Sequence, residues 1–430
     1  MNEQYMVDTS LAAGMLELPV PSSPLSNKRE TAKAHFNTLG FPTTKHEEWK
    51  YSNVAKLVKQ TFSVASQVTT EATDYLQNSA FPNLSDTTLF FVNGHFVPAL
   101  SNLANLPSGL KITTFAEAEQ NGILNEAYAA LTKDESEAFT ALNTAYAQDG
   151  IVIQVAANTQ IESPVVVRHL VDATQENTFA QTRNLVSLGK GASLQFVEHF
   201  DTLGSQTAFA NVVTEIKLEN QAQMYYYKIQ EGGDNSHHVG TTEVYQADNS
   251  YCYSATVTLS GLFTRNNLHL SVDGSNIDGN MYGLYVPSGK EHVDNHTLVD
   301  HRKPHSQSNE LYKGILKDQS TGVFNGKIYV QEDAQKTNAY QNCKNVLLSD
   351  SATMNTKPQL EIWADDVKCS HGTTTGQLDN EVIFYMQARG IPKDEAIKLQ
   401  LLAFAGDVIT QIKLEKLQSY IEEKIADKLV

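Results

Sequence analysis

Alternating apolar and polar positions dominate the middle of the chain, from about residue 149 to residue 375. Segments such as IVIQVAAN and TEIKLENQAQMYYYKIQ follow a two-residue period and are rich in Val, Ile, Thr and Tyr, which is typical of β-strands. Helical periodicity is almost absent from this region. The pattern therefore predicts a β body that occupies about half of the chain.

A weak repeat runs through this β body. Each apolar run ends in a polar pair or triplet rich in Gly, Asn, Asp or Gln, and a new apolar run follows. The repeat occurs at Gly191–Ala192, Gln221–Ala222, Asn249–Ser250, Ser275–Asn276, Gln319–Ser320, Asp333–Ala334 and Ser351–Ala352. Such self-similarity predicts short strands that coil and stack on their neighbours, as in a parallel β-helix. A β-sandwich with irregular hairpins is the alternative.

Mixed patterns precede the β body, over residues 1–145. The segment SNKRETAKAHFNTLG predicts a helix that Ser26 caps and Gly40 ends. Asn93–Gly94 lies between two apolar runs and predicts a β-hairpin. An Ala- and Glu-rich segment, residues 115–147, is helical in pattern. We therefore expect an N-terminal α-rich domain over residues 1–145.

Helical periodicity returns after the predicted β core, residues 146–376, and extends through residues 377–430. Asp379 lies near the start of a first helix, and Gly390 follows its end. Pro392 begins a second helix, and a third periodic segment runs towards the C-terminus. Short helices bury little surface among themselves. This C-terminal helical domain is therefore expected either to bind a partner or to pack against the end of the β body.

Composition narrows the classes of partner and compartment. The 430 residues carry a formal net charge of −17, which disfavours nucleic acid and anionic membrane surfaces as partners. No apolar run is long enough to span a membrane, and the first 23 residues lack the features of a secretory signal. The three cysteines, Cys252, Cys343 and Cys369, are widely spaced, which argues against a disulfide framework and for a reducing, cytoplasmic setting.

Cys369 and His371 form a Cys-x-His pair where the strand pattern gives way to the helix pattern. On a strand, residues two apart point to the same face, about 6.5 to 7 Å apart along the chain. Such a pair provides half a metal site at best, because zinc and iron–sulfur clusters usually take four protein ligands. A buried structural cysteine beside a hydrogen-bonded histidine explains the spacing alone better.

Four histidines are concentrated between residues 292 and 305. On a strand, His292, Asp294 and His296 would share one face, which would allow a site with two histidines and one carboxylate. Hydrogen bonding between strands or along a turn is the simpler explanation, and it extends to His301 and His305. The pair His237–His238 follows a Gly-Gly-Asp sequence and is predicted to lie in a loop.

Other catalytic motifs are absent from the sequence. There is no phosphate-binding G-x-x-x-x-G-K-[ST] loop, no G-x-G-x-x-G after a strand and no H-E-x-x-H. Asp365 and Asp366 are adjacent, so on a strand they would point to opposite faces and would be poorly placed to act as an acid/base couple. A turn or a solvated edge explains the pair.

Five long stretches carry a family resemblance. The most specific is KPQLEIWADDVKCSHGTTTGQLDNEVIFYMQARGI, preceded by HVDNHTLVDHRKPHSQSNELYKGILKDQSTGVFNGKIYVQEDAQKTNAYQNCKNVLLSDSATMNT. DGIVIQVAANTQIESPVVVRHL, FVNGHFVPALSNLANLP and FPTTKHEEWKYSNV extend it over nearly the whole chain. These stretches resemble the SufB/SufD family of the SUF iron–sulfur cluster assembly system. The SHGTTTGQLD after the cysteine and the low cysteine content resemble its SufD branch.

The resemblance implies a mainly β fold: a right-handed parallel β-helix between an N-terminal α-rich domain and a C-terminal helical domain. It implies a non-catalytic subunit that joins SufB and the ABC-type ATPase SufC, and that forms a homodimer when isolated. A nascent Fe–S cluster would be built at the SufB interface, with His371 as a ligand and Cys369 as a second candidate ligand, and the isolated chain would hold no stable cofactor. SufC is expected to dock on the helical region, where the partner-binding residues would be Phe384, Tyr385, Arg389, Leu399 and Phe404.

Three other functions remain open at this point. The chain could be a scaffold paralogue of the SufB type. It could be a β-helix enzyme acting on carbohydrates, although no acidic couple supports this function. It could also be a metal-binding protein that uses the histidines between residues 292 and 305.

Overall fold

The structure, a computed structural model, describes residues 24–64 and 68–429. The predicted lack of a secretory signal concerns residues 1–23, which lie outside this range. Over the described residues, no helix has both the length and the apolar character needed to cross a membrane.

Short helices and two small strand pairs come first. The elements are α1 (Ser26–Leu39), a 3-10 turn (Glu47–Trp49), α2 (Thr70–Gln77), β1 (Thr88–Val92), β2 (His95–Phe96), β3 (Leu110–Thr114), α3 (Phe115–Gln120), α4 (Ile123–Ala127) and α5 (Ala138–Tyr146). The hairpin predicted at Asn93–Gly94 is confirmed, because β1 and β2 pair antiparallel across these two residues. The cap prediction was wrong: α1 begins at Ser26, so Leu25 takes the cap position, and the Leu25 side chain makes no capping hydrogen bond.

Sixteen longer strands follow and form the β body. They are β4 (Asp149–Val155), β5 (Val165–Ala173), β6 (Thr178–Leu188), β7 (Ser193–Gly204), β8 (Ala208–Leu218), β9 (Gln223–Glu231), β10 (Ser236–Gln246), β11 (Tyr251–Ser260), β12 (Phe263–Val272), β13 (Asp278–Tyr285), β14 (His292–His301), β15 (Gln307–Leu316), β16 (Thr321–Val330), β17 (Asn338–Leu347), β18 (Thr353–Ile362) and β19 (Lys368–Gly376).

These strands alternate between two sheets. Odd-numbered strands from β5 to β19 pair in sequence order in a ten-stranded sheet that ends in β1 and β2, and even-numbered strands from β4 to β18 form a nine-stranded sheet that ends in β3. Every pairing is parallel except β1–β2 and β3–β4. The chain is therefore a parallel β-solenoid, as predicted, and the β-sandwich alternative was wrong.

Left-handed residues mark one corner of the solenoid, where an even strand turns into the next odd strand. Gly191, Gln221, Asn249, Asn276, His305 and Lys336 all have positive φ and are 27 to 31 residues apart. Gly, Asn and, to a lesser degree, His tolerate this conformation, which explains the polar pairs of the sequence repeat. The pairs Gln319–Ser320 and Ser351–Ala352 belong to the opposite corner, beside Asp318, which also has positive φ.

Three C-terminal helices follow the last strand. They are α6 (Asn380–Ala388), α7 (Lys393–Ile409) and α8 (Glu415–Lys428). The Asp379 side chain accepts hydrogen bonds from the N–H groups of Glu381 and Val382, so the predicted helix start is confirmed. The apolar faces of α7 and α8 join a buried cluster on the outer face of the ten-stranded sheet. The C-terminal helices therefore pack along the side of the solenoid.

Candidate functional site

The two sheets of the solenoid end differently. At the N-terminal end, each sheet finishes with a short antiparallel strand, β2 or β3. At the other end, each finishes with a long parallel strand, β18 or β19, which has no neighbour on its outer side among the described residues. Unpaired N–H and C=O groups on such edges are ready to pair with another chain. We call this end the open end.

Cys369 and His371 lie on β19, at the open end. Their register partners in β17 are Ala339 and Gln341, both fully buried in the solenoid interior. Cys369 and His371 therefore share one face of the last strand, as the two-residue spacing predicts, and this face points inward. His371 is exposed, whereas Cys369 is half-buried. Over residues 24–64 and 68–429, no third His, Cys, Asp or Glu joins them in a group that could hold a metal ion.

The surroundings of Cys369 make it a weaker ligand than His371. Its side chain packs against an apolar cluster that includes Ile328, Val330 and Ala339. Burial raises the pKa of the thiol above its ordinary value, and a hydrogen bond with the backbone of Ala339 offsets this only in part. A metal binds the thiolate, so a raised pKa disfavours ligation at neutral pH.

Two buried polar side chains lie below His371, and the sequence did not indicate them. In the ten-stranded sheet, Gln341 lies next to His371, and Glu310 lies next to Gln341. The Gln341 amide donates to Glu310 at 2.7 Å. Burial raises the pKa of Glu310 to about 7, against the lowering effect of the Thr297 hydroxyl and of Gln341. Only the register of the strands reveals this column, because the three residues are distant in sequence.

The histidines of β14 bind the N-terminal segment to the solenoid. His296 lies between Asp294, at 3.0 Å, and Glu48, at 3.2 Å. The ring of His292 contacts the Ser52 hydroxyl at 2.8 Å, and Ser52 also donates to Asp294. The predicted shared face of His292, Asp294 and His296 is thus confirmed, and each of the three side chains already interacts with other protein groups.

The other histidines also have structural surroundings. His301 is buried and contacts the Ser308 hydroxyl at 3.0 Å, and burial lowers its pKa to about 4. His305 has a φ of 64° and occupies one of the left-handed corner positions. The loop prediction for His237–His238 was wrong, because both residues belong to β10. Polar side chains also line the interior of this solenoid, so a polar sequence does not distinguish a loop from a strand in this protein.

Asp365 and Asp366 lie in the turn between β18 and β19. The side chain of Asp366 forms an ion pair with Lys336, and its backbone exchanges hydrogen bonds with Gln335 and Lys336. Asp366 therefore stabilises the last corner, and the pair has the surface turn position that the sequence indicated.

Large apolar side chains are exposed on the C-terminal helices. Phe384 and Tyr385, on α6, are 72% and 59% exposed, and Leu399, on α7, is 40% exposed. The Arg389 guanidinium lies 5.1 Å from the centre of the Tyr385 ring. Phe404 lies against the solenoid instead, where its carbonyl accepts a hydrogen bond from Lys313 and the ammonium lies 4.2 Å from its ring centre.

Comparison with known proteins gives a consistent family. The model of the SUF system FeS cluster assembly SufBD core domain matches residues 170–404, and that of the SufBD protein N-terminal region matches residues 14–167. The chain is 32% identical to the iron–sulfur cluster assembly SufBD family protein slr0076 of Synechocystis, over 94% of this chain and 91% of that protein.

Two relatives that carry the name SufD span similar lengths. The chain is 31% identical to the iron–sulfur cluster assembly protein SufD of Escherichia coli, over 93% of this chain and 92% of that protein. It is 26% identical to the SufD protein of Bacillus subtilis, over 93% of this chain and 94% of that protein. The chain therefore belongs to the SufBD family of iron–sulfur cluster assembly proteins.

Proposed function

We propose that this chain is a non-catalytic, SufD-type subunit of a SUF assembly complex, and that it helps to build a nascent Fe–S cluster at an interface with a SufB-type paralogue. The position of His371 carries the proposal: it is exposed on the last strand, beside an unpaired sheet edge. The relatives named SufD favour the SufD type over the SufB type. The cluster is cargo that passes through the complex.

An incomplete ligand set supports a shared site. His371 and Cys369 supply two donors at most, and Cys369 carries a thiol of raised pKa. Clusters usually need four protein ligands, so the remaining ones would come from the partner chain. The three cysteines are free thiols, which agrees with a reducing, cytoplasmic setting.

The edge of β19 offers the route by which the partner would bind. Lys368 donates its N–H to Thr337, next to β17. Because N–H groups alternate in direction along a strand, those of Cys369, His371 and Thr373 point outward. A partner strand would pair with this edge, and a second copy of the chain would do so when the chain is isolated.

Proline substitution tests the edge pairing. Thr373→Pro removes an outward N–H and leaves the ladder with β17 intact, so the variant should fold but remain monomeric in light scattering after size-exclusion chromatography. Thr374→Pro is the matched control, since it removes an N–H that points towards β17 and should destabilise the fold. A Thr373→Pro protein that still forms the dimer would contradict pairing through β19.

The exposed residues of α6 and α7 suit a SufC-type ATPase as the second partner. Phe384, Tyr385 and Leu399 are apolar side chains on these helices that remain exposed in the described chain. Aromatic residues are enriched among the residues that dominate binding energy at interfaces. The sequence has no phosphate-binding loop, so ATP hydrolysis would belong to that partner.

Replacement of His371 tests the proposed function directly. We expect His371→Ala to reduce Fe–S cluster maturation in cells that depend on this chain, with unchanged folding and copurification of partners. Ser370→Ala is the control, because Ser370 is exposed on the same strand but lies on the opposite face. Normal maturation in the His371→Ala strain would remove His371 from the proposal.

A further inference from the structure

Three polar side chains form a column along the inner face of the ten-stranded sheet, and this column extends to the open end. Glu310 pairs in register with Gln341, and Gln341 pairs with His371. Neighbouring strands lie about 4.8 Å apart, so each side chain lies within reach of the next. Glu310 and Gln341 are buried, and His371 is exposed. His371 is therefore the outer end of a polar column that begins in the interior.

The Gln341 amide is hydrogen-bonded at one of its two polar atoms. Its Nε2 donates to Oε2 of Glu310 at 2.7 Å. Its Oε1 is buried and has no hydrogen-bond partner among the residues that the structure describes. A carboxylate only accepts hydrogen bonds, so ionised Glu310 holds the nitrogen side of the amide towards itself. The oxygen side is then left without this partner, and the register neighbour of Gln341 on β19 is His371.

The amide of Gln341 lies against the opposite sheet. A Cβ atom at Gly326, in β16, would lie 2.3 Å from Nε2 and 2.8 Å from Cδ of Gln341. The absent side chain at Gly326 leaves the space that the amide occupies. The buried oxygen is therefore an acceptor one strand below His371.

We propose that Gln341 is a positioning residue for His371: rotation of the exposed His371 side chain brings the N–H of one ring nitrogen to the unpartnered Oε1, and this hydrogen bond directs the other, unprotonated nitrogen towards the interface. Glu310 acts one step further away, because it orients the amide. Histidines that bind metals commonly donate their second ring N–H to a carbonyl or carboxylate in this way. The inference rests on the proposed role of His371 in cluster building.

The tautomer of His371 is the measurement that tests this inference. Long-range ¹H–¹⁵N correlation spectra of the full chain labelled with ¹⁵N-histidine report which ring nitrogen carries the proton, and a His371→Gln sample identifies its signals. The spectra are recorded at pH 8, where an ordinary imidazole is neutral. We expect one tautomer to dominate in the wild-type chain beyond its share in free histidine. A ratio equal to that of free histidine would overturn the proposal.

Three variants test the role of the amide oxygen. Gln341→Met keeps the side-chain length but removes the acceptor, and it should shift the tautomer ratio about five-fold, the equivalent of one ordinary hydrogen bond. Gln341→Glu keeps an acceptor and should keep the dominant tautomer. Asn342→Met is the control, because Asn342 is exposed on the opposite face of β17. If Gln341→Met does not fold, Gln341→Asn, whose amide is too short to reach, takes its place.

The outcomes separate this inference from the proposed function. An unchanged ratio in Gln341→Met, or a lost preference in Gln341→Glu, would refute the positioning role whatever cluster maturation shows. Normal cluster maturation in cells with His371→Ala would refute the proposed function but leave the tautomer result standing.

Discussion

Glu310 is a carboxyl group buried inside the solenoid, and its ionisation should control part of the pH dependence of folding. Its side chain is 4% exposed, and burial raises its pKa from 4.5 to about 7. Because the folded chain holds this proton more tightly than the unfolded chain, the contribution of Glu310 to stability is greatest below pH 4.5 and is lost as the pH rises towards 7. A shift of 2.5 pKa units corresponds to about 3 kcal/mol.

Glu310→Gln removes this titration and keeps the shape of the protonated acid. Its free energy of unfolding, relative to wild type, should therefore rise by about 2 kcal/mol between pH 5.5 and pH 8. The reason is that the pKa of Glu310 in the fold, about 7, lies about 1.5 pH units above the start of this range. Urea denaturation at several pH values measures both proteins, and contributions from other groups cancel in the difference.

Glu332→Gln serves as the control, because Glu332 is exposed in a turn. Its difference from wild type should remain flat over the same range. A flat profile for Glu310→Gln as well would show that Glu310 is ionised in the fold at pH 5.5, and would refute the electrostatic reasoning about the interior of the solenoid.

Three further predictions concern the corner, the interior and the helices. His305→Gly should raise the free energy of unfolding by about 1 kcal/mol and His305→Val should lower it, because φ is 64° there; equal effects in thermal denaturation would contradict this. Arg265→Met should cost about 3–5 kcal/mol in urea denaturation, since Asp294 loses an ion pair of 2.7 Å in the interior, and a second change, Asp294→Asn, should restore part of it. Phe384→Ser should leave stability within about 0.5 kcal/mol of wild type but weaken a SufC-type partner at least about ten-fold in calorimetry, and unchanged affinity would exclude this surface.

The sequence repeat predicted the solenoid because one of its corners requires a particular backbone conformation in every turn. Each turn from an even to an odd strand needs a left-handed residue, and Gln221, Asn249 and Asn276 meet this demand at nearly regular spacing. Further along the chain the spacing of the repeat is less regular, because Gln319–Ser320 and Ser351–Ala352 belong to the opposite corner, beside Asp318. The pairing of odd with odd strands could not be predicted, since a local pattern does not identify a distant partner.

The candidate site was predictable only in part, for the same reason. The spacing of Cys369 and His371 correctly placed both on one face of a strand. The sequence could not show which of the two is the better ligand, because this follows from their burial. It also could not show that Glu310 and Gln341 are neighbours, because this follows from the register of distant strands. The partners of His296 were equally hidden, because Glu48 lies in the N-terminal segment.

Features that leave the isolated fold incomplete gather near the open end. At the other end, the sheets finish with the short antiparallel strands β2 and β3. At the open end, β18 and β19 have bare outer edges, Trp363 is 62% exposed, and the oxygen of Gln341 has no partner in the described chain. Stacked-repeat proteins need a cap on each terminal repeat, so a bare end costs stability and invites aggregation unless something covers it. Pro358, whose place in β18 puts its missing N–H on the outer side, blocks pairing on that edge, whereas β19 contains no proline. The edge left free for a partner strand is therefore the one that carries His371.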